Sequence, residues 1–226
     1  FHTSGISMSN INKFFWIHIK KSAGQSLRQL LQPHYLLTDR KKGSEGFTKS
    51  NYKFWNDILN NYRTPLGDLQ YKRALFAARH LYPDKWSKLF SFAFVREPVS
   101  RCLSMYRYFQ SEIKDEEEKF SAFLKLIKEP YDLRFATHTN PTWNDVTDDN
   151  DELCVSKVYR LDDMMPALKE VYEKCNLSFK KKEIFVNTTK EQKIHKDLAN
   201  AFKSEIQKIY EKDFILYYQL YSKVSK

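Results

Sequence analysis

The sequence has few of the features that mark secreted, metal-stabilised or membrane-spanning chains. Its three cysteines, Cys102, Cys154 and Cys175, are widely separated and form neither a CxxC pair nor a Cys/His spacing typical of a metal site. No apolar run approaches the roughly 20 residues that a membrane span requires, and no charged segment followed by an apolar one marks a signal peptide. A reduced compartment is therefore favoured, and we expect neither a metal nor disulfides to hold the fold.

The start of the chain sets an expectation about domain organisation. Residues 1–7 look like a vector-derived leader, with the native start at Met8. A chain of 226 residues can bury most of its surface in one core, so we expect a single domain over residues 8–226. A start so close to the first apolar segment favours the cytoplasm, whereas the luminal catalytic domain of a longer, anchored protein would look the same. Both alternatives stay open.

Acidic residues are in the minority. The chain has 28 Asp and Glu against 38 Lys and Arg, a formal net charge of +10. Such an excess favours an anionic partner, because clustered cations raise the local concentration of negative ligands. No nucleic-acid recognition motif accompanies the charge, so nucleic acid is not the expected partner, and most lysines are interpreted as solvated surface.

The hydrophobic pattern alternates between strand-like and helix-like segments. Short apolar runs predict parallel strands over residues 14–19, 74–78, 89–95 and 155–161. Helical spacing predicts helices over residues 26–31, 52–62, 98–109, 166–175 and 198–218. The acidic stretch 145–152 lacks the ligand register of a calcium loop and is interpreted as a surface loop. The predicted fold class is α/β, a three-layer sandwich around a central parallel sheet, with ligands at the carboxyl ends of the strands.

One of only five glycines lies in "KKSAGQS", between the first strand and the first helix. A tight turn into a helix presents unpaired backbone N–H groups and a positive dipole end, which favour an anion. Gly24 permits close approach, Ser22 and Ser26 can donate hydrogen bonds, and Lys21 can reach over the bound group. Nucleotide triphosphatases place their lysine after the second glycine of the loop, whereas here it precedes the only one, so triphosphate hydrolysis is a poor fit.

A second cluster, "FAFVREPVSRCLSMYRYF", extends over residues 92–109. Arg96 follows a buried strand at the edge where the first turn is expected. Arg101 and Ser104 are three residues apart on the next helix, and the pattern predicts that they share a face turned away from the apolar residues. Arginine suits bidentate recognition of phosphate, so a second anion is indicated.

These two segments resemble a known family. "FFWIHIKKSAGQSL" is similar to the 5′-phosphosulfate loop of the Golgi-type carbohydrate sulfotransferases, commonly I-H-I-P-K-T-A-G-T-S, and the second cluster is similar to their motif F-x-F-V-R-D-P-x-x-R-x-x-S-x-Y. Both motifs occur in the expected order. Lys20 stands where the family usually has proline, and Gln25 where it often has threonine.

The resemblance implies a P-loop-like sulfotransferase fold and the donor 3′-phosphoadenosine 5′-phosphosulfate (PAPS), with no metal. It assigns the 3′-phosphate to Arg96 and Ser104, with Arg101 as a further donor-binding candidate. Lys21 would stabilise the charge that develops on the leaving oxygen. The residues implied to hold the phosphosulfate are Lys20, Lys21, Ser22, Ala23, Gly24, Gln25 and Ser26.

An acceptor hydroxyl must lose its proton, so a base is expected nearby. His80, in "FAARHLYP" after the predicted strand 74–78, is the candidate, since the family often has a histidine in a comparable segment. His138 and Trp143, in a predicted loop, are candidate acceptor contacts, with His138 also a possible catalytic group. His18 is interpreted as a packed residue, Glu112 and Glu45 are weaker bases, and Lys190 and Lys193 are expected in a solvated loop or over the nucleotide.

Three functions remain open from the sequence. The first is PAPS-dependent sulfuryl transfer to a hydroxyl of a carbohydrate or another small polar acceptor. The second is phosphoryl transfer of the P-loop type, and the third is polyanion binding without catalysis.

Overall fold

A computed structural model of the protein describes residues 14–37, 53–110, 119–178 and 193–224. The leader 1–7, Glu45, Glu112 and Lys190 lie outside the described residues, as does the side chain of Lys193.

A parallel sheet of three strands forms the centre of the described structure. Strands β1 (Phe14–Ile17), β2 (Phe90–Val95) and β3 (Lys157–Arg160) lie in the order β1-β2-β3, with Ile17 opposite Ala93 and Val95 opposite Arg160. Three of the four predicted strands are thereby confirmed. Their carboxyl ends lie at one edge of the sheet, where ligands bind in open α/β folds.

Helices surround this sheet. Their bounds within the described residues are α1 (Gly24–Leu31), α2 (Trp55–Asn60), α3 (Arg73–Phe76), α4 (Pro98–Phe109), α5 (Lys119–Lys128), α6 (Leu133–Thr139), α7 (Thr142–Val146), α8 (Met164–Lys174), α9 (Lys193–Ala201), α10 (Lys203–Ile209) and α11 (Glu211–Val224). No helix in the part of the chain that the structure describes has the length and apolar character needed to cross a bilayer.

The two faces of the sheet pack against different helices. Phe14, Trp16 and Phe92 face a cluster with Leu27 of α1 and Leu168 of α8. The alternate strand residues, which include Phe15, Ile17, Ala93 and Val95, face the other side of the sheet. They pack there against Ile58 of α2, Phe76 of α3 and Leu216 of α11. This alternation is the period of two expected of strands that are buried on both faces. The three-layer α/β sandwich is therefore confirmed.

The prediction of a strand at residues 74–78 was wrong. Arg73–Phe76 is α-helical and continues as a π-helical turn, Ala77–Leu81, and residues 73–77 are buried. A short apolar run fits a buried helix as well as a buried strand, so periodicity cannot separate the two. The segment covers the sheet instead of joining it.

Two further boundaries differ from the prediction. The C-terminal helix over residues 198–218 is three helices, interrupted at Phe202 and Tyr210. The interruptions let Ile206 reach a cluster around α4, while Leu216 reaches the sheet. The acidic stretch begins within α7, where Asp145 is buried and pairs with Arg73 at 3.6 Å, so it is not wholly a surface loop.

Candidate functional site

The turn between β1 and α1 forms a backbone concavity at the carboxyl edge of the sheet. Lys21 and Ala23 adopt left-handed conformations, with φ of 65° and 53°, and the N–H of Ser22 donates to the carbonyl oxygen of Ile19 at 3.3 Å. Ala23 precedes the first turn of α1, which has no capping side chain and no acidic residue. A left-handed residue followed by helical ones turns successive N–H groups toward a common point, and the helix dipole adds positive potential there. The turn can therefore bind an anion.

Gly24 is required by a contact that the sequence did not reveal. A Cβ atom at this position would lie 1.8 Å from Nε2 of His18. The His18 ring stacks on Trp16 with centroids 4.9 Å apart, and burial lowers the pKa of His18 well below its ordinary value. The glycine thus accommodates a neutral, buried imidazole beneath the turn, in agreement with the interpretation of His18 as a packed residue.

Ser22 and Lys21 are the side chains of the turn best suited to an anion. Ser22 is 1 % exposed, and its Oγ is buried without a hydrogen-bond partner. Nζ of Lys21 lies 4.6 Å from the centroid of the Tyr108 ring. Burial lowers the pKa of Lys21, and the charge of Arg96 lowers it further. An anion here would give Ser22 a partner and relieve the repulsion between the two cations.

The second cluster that the sequence predicts to bind an anion begins directly after β2. Arg96 follows Val95, the last residue of the strand, and is partly buried at the same edge as the turn. Glu97 caps α4, where its carboxylate accepts hydrogen bonds from the N–H groups of Val99 and Ser100 at 3.2 and 2.7 Å. Because this cap uses the backbone N–H groups of the first turn of α4, an anion here must be bound by side chains. Arg96 and the partly buried Ser104 remain suitable for that role.

Arg101 does not share this role, contrary to the spacing argument. It is 2 % exposed, and its guanidinium donates to the carbonyl oxygens of Lys20, His138 and Asn140 at 3.1, 3.2 and 2.8 Å. It also pairs with Asp213 at 3.5 Å. The arginine therefore ties the turn to α6 and α11 instead of facing a ligand, because tertiary contacts close over the helix face that appeared polar.

The side chain of Lys20 also points away from the turn between β1 and α1. It is 9 % exposed, and its Nζ donates to the carbonyl oxygen of Asn60 at 2.5 Å. Burial lowers the pKa of Lys20 to about 7, with Arg73 and Arg28 adding to the shift and Asp145 opposing it. The prediction that Lys20 contacts the donor is therefore corrected: the lysine lies beneath the turn, where its Nζ contacts Asn60.

The low pKa of Lys20 predicts a pH-dependent stability. In the unfolded chain a lysine has a pKa of about 10.4, so between pH 7 and that value the unfolded state binds more protons than the folded state. The free energy of unfolding should then rise with pH by up to about 1.4 kcal/mol per unit. Urea unfolding between pH 7 and 9 is expected to show this rise in the wild type and its loss in Lys20→Met. An equal dependence of the unfolding free energy on pH in the two proteins would show that Lys20 stays charged when folded.

His80 lies in a different environment from the one predicted. It belongs to the π-helical turn and is exposed, with its ring 5.0 Å from that of Phe76. Arg73, at the start of this helical segment, donates to the carbonyl oxygen of His18 at the carboxyl edge, whereas Tyr82, just after it, contacts Phe15 of β1. The segment therefore runs away from the turn, and the argument that placed His80 at a strand end no longer applies.

His138 lies beside the turn. It is 7 % exposed on α6, and its ring stacks on Tyr108 with centroids 5.0 Å apart and an interplanar angle of 14°. Its Nδ1 is 2.7 Å from the carbonyl oxygen of Arg134. The ring of Tyr108 thus contacts both His138 and Lys21.

Trp143 belongs to α7 and not to a covering loop. Its indole N–H donates to Asp151 at 2.9 Å, and its backbone N–H donates to Asp213 at 2.8 Å. These bonds give the tryptophan a structural role that the sequence did not indicate, and its indole N–H is already engaged.

Comparison with known proteins identifies the family. The profile of the sulfotransferase family matches residues 4–219, nearly the whole chain. The chain belongs to the sulfotransferase family. Searches of curated proteins and of solved structures give no significant match. The resemblance inferred from the two motifs is thereby confirmed at the level of the family, which supports a transferase that moves a sulfuryl group to a small-molecule acceptor.

Sequence reasoning missed Tyr108, whose ring lies beside the turn. The tyrosine is 43 % exposed on α4, one helical turn after Ser104. Residues four apart share a helix face, so this spacing was the available signal. Arg73, which contributes charge from α3, directly precedes the segment predicted as a strand and had no comparable signal.

Two further observations delimit the candidate site. Among the described residues, no group of three or more His, Cys, Asp and Glu side chains gathers as a metal site. An open cleft of about 600 Å³ lies between α6 and α10, but Ala136 and Thr139 line it from the side of α6 that faces away from His138. The cleft is therefore separate from the turn between β1 and α1.

Proposed function

We propose that the protein is a PAPS-dependent sulfotransferase that transfers a sulfuryl group to a hydroxyl of a carbohydrate or another small polar acceptor by in-line displacement. The observation that carries the proposal is the turn before α1, where the buried Oγ of Ser22 lacks a partner beside an uncapped helix N-terminus and the ammonium of Lys21. These groups fit a phosphosulfate, because each is a hydrogen-bond donor or a positive charge and no acid opposes them in the first turn.

Recognition of the donor depends on two separate groups of residues. Lys21, Ser22 and the N–H groups of Gly24 and Gln25 would hold the 5′-phosphosulfate. Arg96 and Ser104 would hold the 3′-phosphate, which distinguishes this donor from ATP. The repulsion between Arg96 and Lys21 supports this division, since it indicates that the two cations lie close enough for one nucleotide to meet both.

The chemistry assigned to the chain is charge stabilisation. Sulfuryl transfer leaves negative charge on the oxygen that bridged sulfur and phosphorus, and PAPS supplies that leaving group when bound. Lys21 would donate a hydrogen bond to this oxygen, where its charge is worth more in the transition state than in the ground state. The ammonium is partly desolvated, which strengthens the interaction.

Binding of adenosine 3′,5′-bisphosphate tests the proposal. Isothermal titration calorimetry should show binding to the wild type without added metal, and Arg96→Ala should weaken it about 10- to 100-fold, because a charged hydrogen bond is lost. Arg79→Ala is the matched control, since Arg79 pairs with Asp149 on the surface and should leave the affinity unchanged.

Other outcomes would favour the alternatives. Mg²⁺-dependent transfer of the γ-phosphate of ATP would indicate a phosphotransferase. Binding of heparin without turnover of labelled PAPS would indicate a polyanion-binding protein. Equal affinities of Arg96→Ala and Arg79→Ala for the bisphosphate would refute the assignment of Arg96.

A further inference from the structure

The imidazole of His138 lies in an aromatic enclosure at the mouth of the site. Tyr108 stacks on it, while Phe109 and Tyr62 approach with ring centroids 5.5 and 5.6 Å away. Tyr108 is half-exposed and Tyr62 partly exposed, so the enclosure borders solvent. The ring is held in one orientation and is largely removed from water.

A backbone contact sets the tautomer of this ring. Nδ1 lies 2.7 Å from the carbonyl oxygen of Arg134, which can only accept a hydrogen bond. In the neutral ring Nδ1 therefore carries the hydrogen, and Nε2 keeps its lone pair. His138 is thus prepared to accept a proton at Nε2.

Arg101 fixes the position of His138 relative to the turn. One guanidinium donates to the carbonyl oxygens of both Lys20 and His138. In addition, Lys21 Nζ and the His138 ring lie 4.6 and 5.0 Å from the centroid of the same Tyr108 ring. The lysine assigned to the leaving group and the imidazole thus both contact the Tyr108 ring, and the charge of Lys21 also acts on the imidazole.

The other histidines with described side chains are less suitable. The ring of His18 is enclosed beneath Gly24, and His34 packs against Tyr172, beyond the end of α1. His80 is exposed on the segment that runs away from the turn. Among these side chains, His138 alone combines a fixed tautomer with contact to the ring that Lys21 covers.

We propose that His138 is the general base, accepting the proton of the acceptor hydroxyl at Nε2. The proposal rests on the proposed function. As the acceptor oxygen bonds to sulfur, its proton passes to Nε2, and the bond between sulfur and the bridging oxygen breaks. The electron pair stays on that oxygen beside Lys21, and the imidazolium later releases its proton to water.

The charges around His138 couple its basicity to donor binding. Burial lowers the pKa of His138 to about 4; the hydrogen bond to Arg134 opposes this shift, and Lys20, Lys21 and Arg73 add to it. The charged and titratable groups that face or adjoin the residue from the packed elements are His18, Lys20, Lys21, Tyr62, Arg73, Arg101, Tyr108 and Arg134. A bound anion offsets the cations, so the donor should raise the pKa of His138 and make it a stronger base.

Turnover of His138→Asn tests the base directly. The Asn side-chain amide can keep the hydrogen bond to Arg134, because its nitrogen stands where Nδ1 was, but it cannot accept the proton. We expect kcat to fall about 10²- to 10⁴-fold, while affinity for adenosine 3′,5′-bisphosphate stays within about twofold. His80→Asn is the matched control and should turn over like the wild type.

The pH dependence separates a base from a structural residue. The wild-type rate should fall as pH drops through the pKa of His138 in the donor complex. The residual rate of His138→Asn should not show this fall. NMR titration of histidine-labelled wild type should show the pKa of His138 rising by about one unit or more when the bisphosphate is added.

The outcomes distinguish this inference from the proposed function. If the bisphosphate does not bind to the wild type, both fail. If it binds but leaves the titration of His138 unchanged, and His138→Asn turns over like His80→Asn, the inference fails and the proposed function stands.

Discussion

Lys21→Ala is expected to lower kcat for sulfuryl transfer about 10²- to 10³-fold, the loss seen when one preorganised donor to a developing charge is removed. The ammonium of Lys21 lies over Tyr108, partly desolvated and beside the charge of Arg96. In the proposed function this positive charge acts on the leaving oxygen. Alanine keeps the Cβ atom, so the left-handed backbone at this position, with φ of 65°, is no more strained than in the wild type.

Transfer from ³⁵S-labelled PAPS measures this effect. Lys88→Ala is the matched control, because Lys88 is exposed in a turn before β2. Lys21→Arg should recover part of the rate, since it keeps the charge but not the geometry of an ammonium. A rate for Lys21→Ala equal to that of the control would show that the lysine has no role in catalysis.

Arg101→Ala is expected to destabilise the fold by about 3–5 kcal/mol, the cost of breaking a buried ion pair by removing one partner. Asp213 would be left 4 % exposed without its cation, although it still accepts hydrogen bonds from the N–H groups of Thr142 and Trp143 at 2.9 and 2.8 Å. Three carbonyl oxygens would also lose their donor. By contrast, Arg96→Ala removes a partly buried side chain and should cost about 1 kcal/mol or less.

Urea unfolding of the two variants checks this contrast. Adding Asp213→Asn to Arg101→Ala should recover part of the lost stability, because the uncompensated carboxylate is then removed. If Arg101→Ala were as stable as Arg96→Ala and lost affinity for adenosine 3′,5′-bisphosphate, Arg101 would be a donor ligand, as its sequence spacing suggested.

Local sequence patterns were sufficient where one short segment held the whole signal. Strands β1 and β2, helix α4 and the turn at Lys21 to Ser26 follow from apolar runs, the proline at the start of α4 and one glycine between lysines and serines. Each depends on neighbours within a few residues, so period and spacing determine it. The family resemblance carried by the same segments was confirmed.

Patterns failed where distant residues decide the environment. The run at 74–78 is apolar in either a strand or a buried helix, and only its packing against the sheet made it a helix. Lys20 and Arg101 are candidate donor-binding residues in the sequence, yet Asn60, Asp213 and backbone carbonyls 37 to 112 positions away enclose them. Distant contacts also decide that His138 lies beside the turn, whereas His80, the base predicted from the sequence, lies on a segment that runs away from it.

The sequence by itself thus determined that the chain has a turn of lysine, serine and glycine at one edge of a parallel sheet and an arginine beside it. The tertiary structure decided which cations face that edge, which are buried beneath it, and which histidine borders it. The physical reason is range: backbone conformation at a turn depends on adjacent residues, whereas burial, and the shifts in pKa that follow from it, depend on segments brought together only by folding.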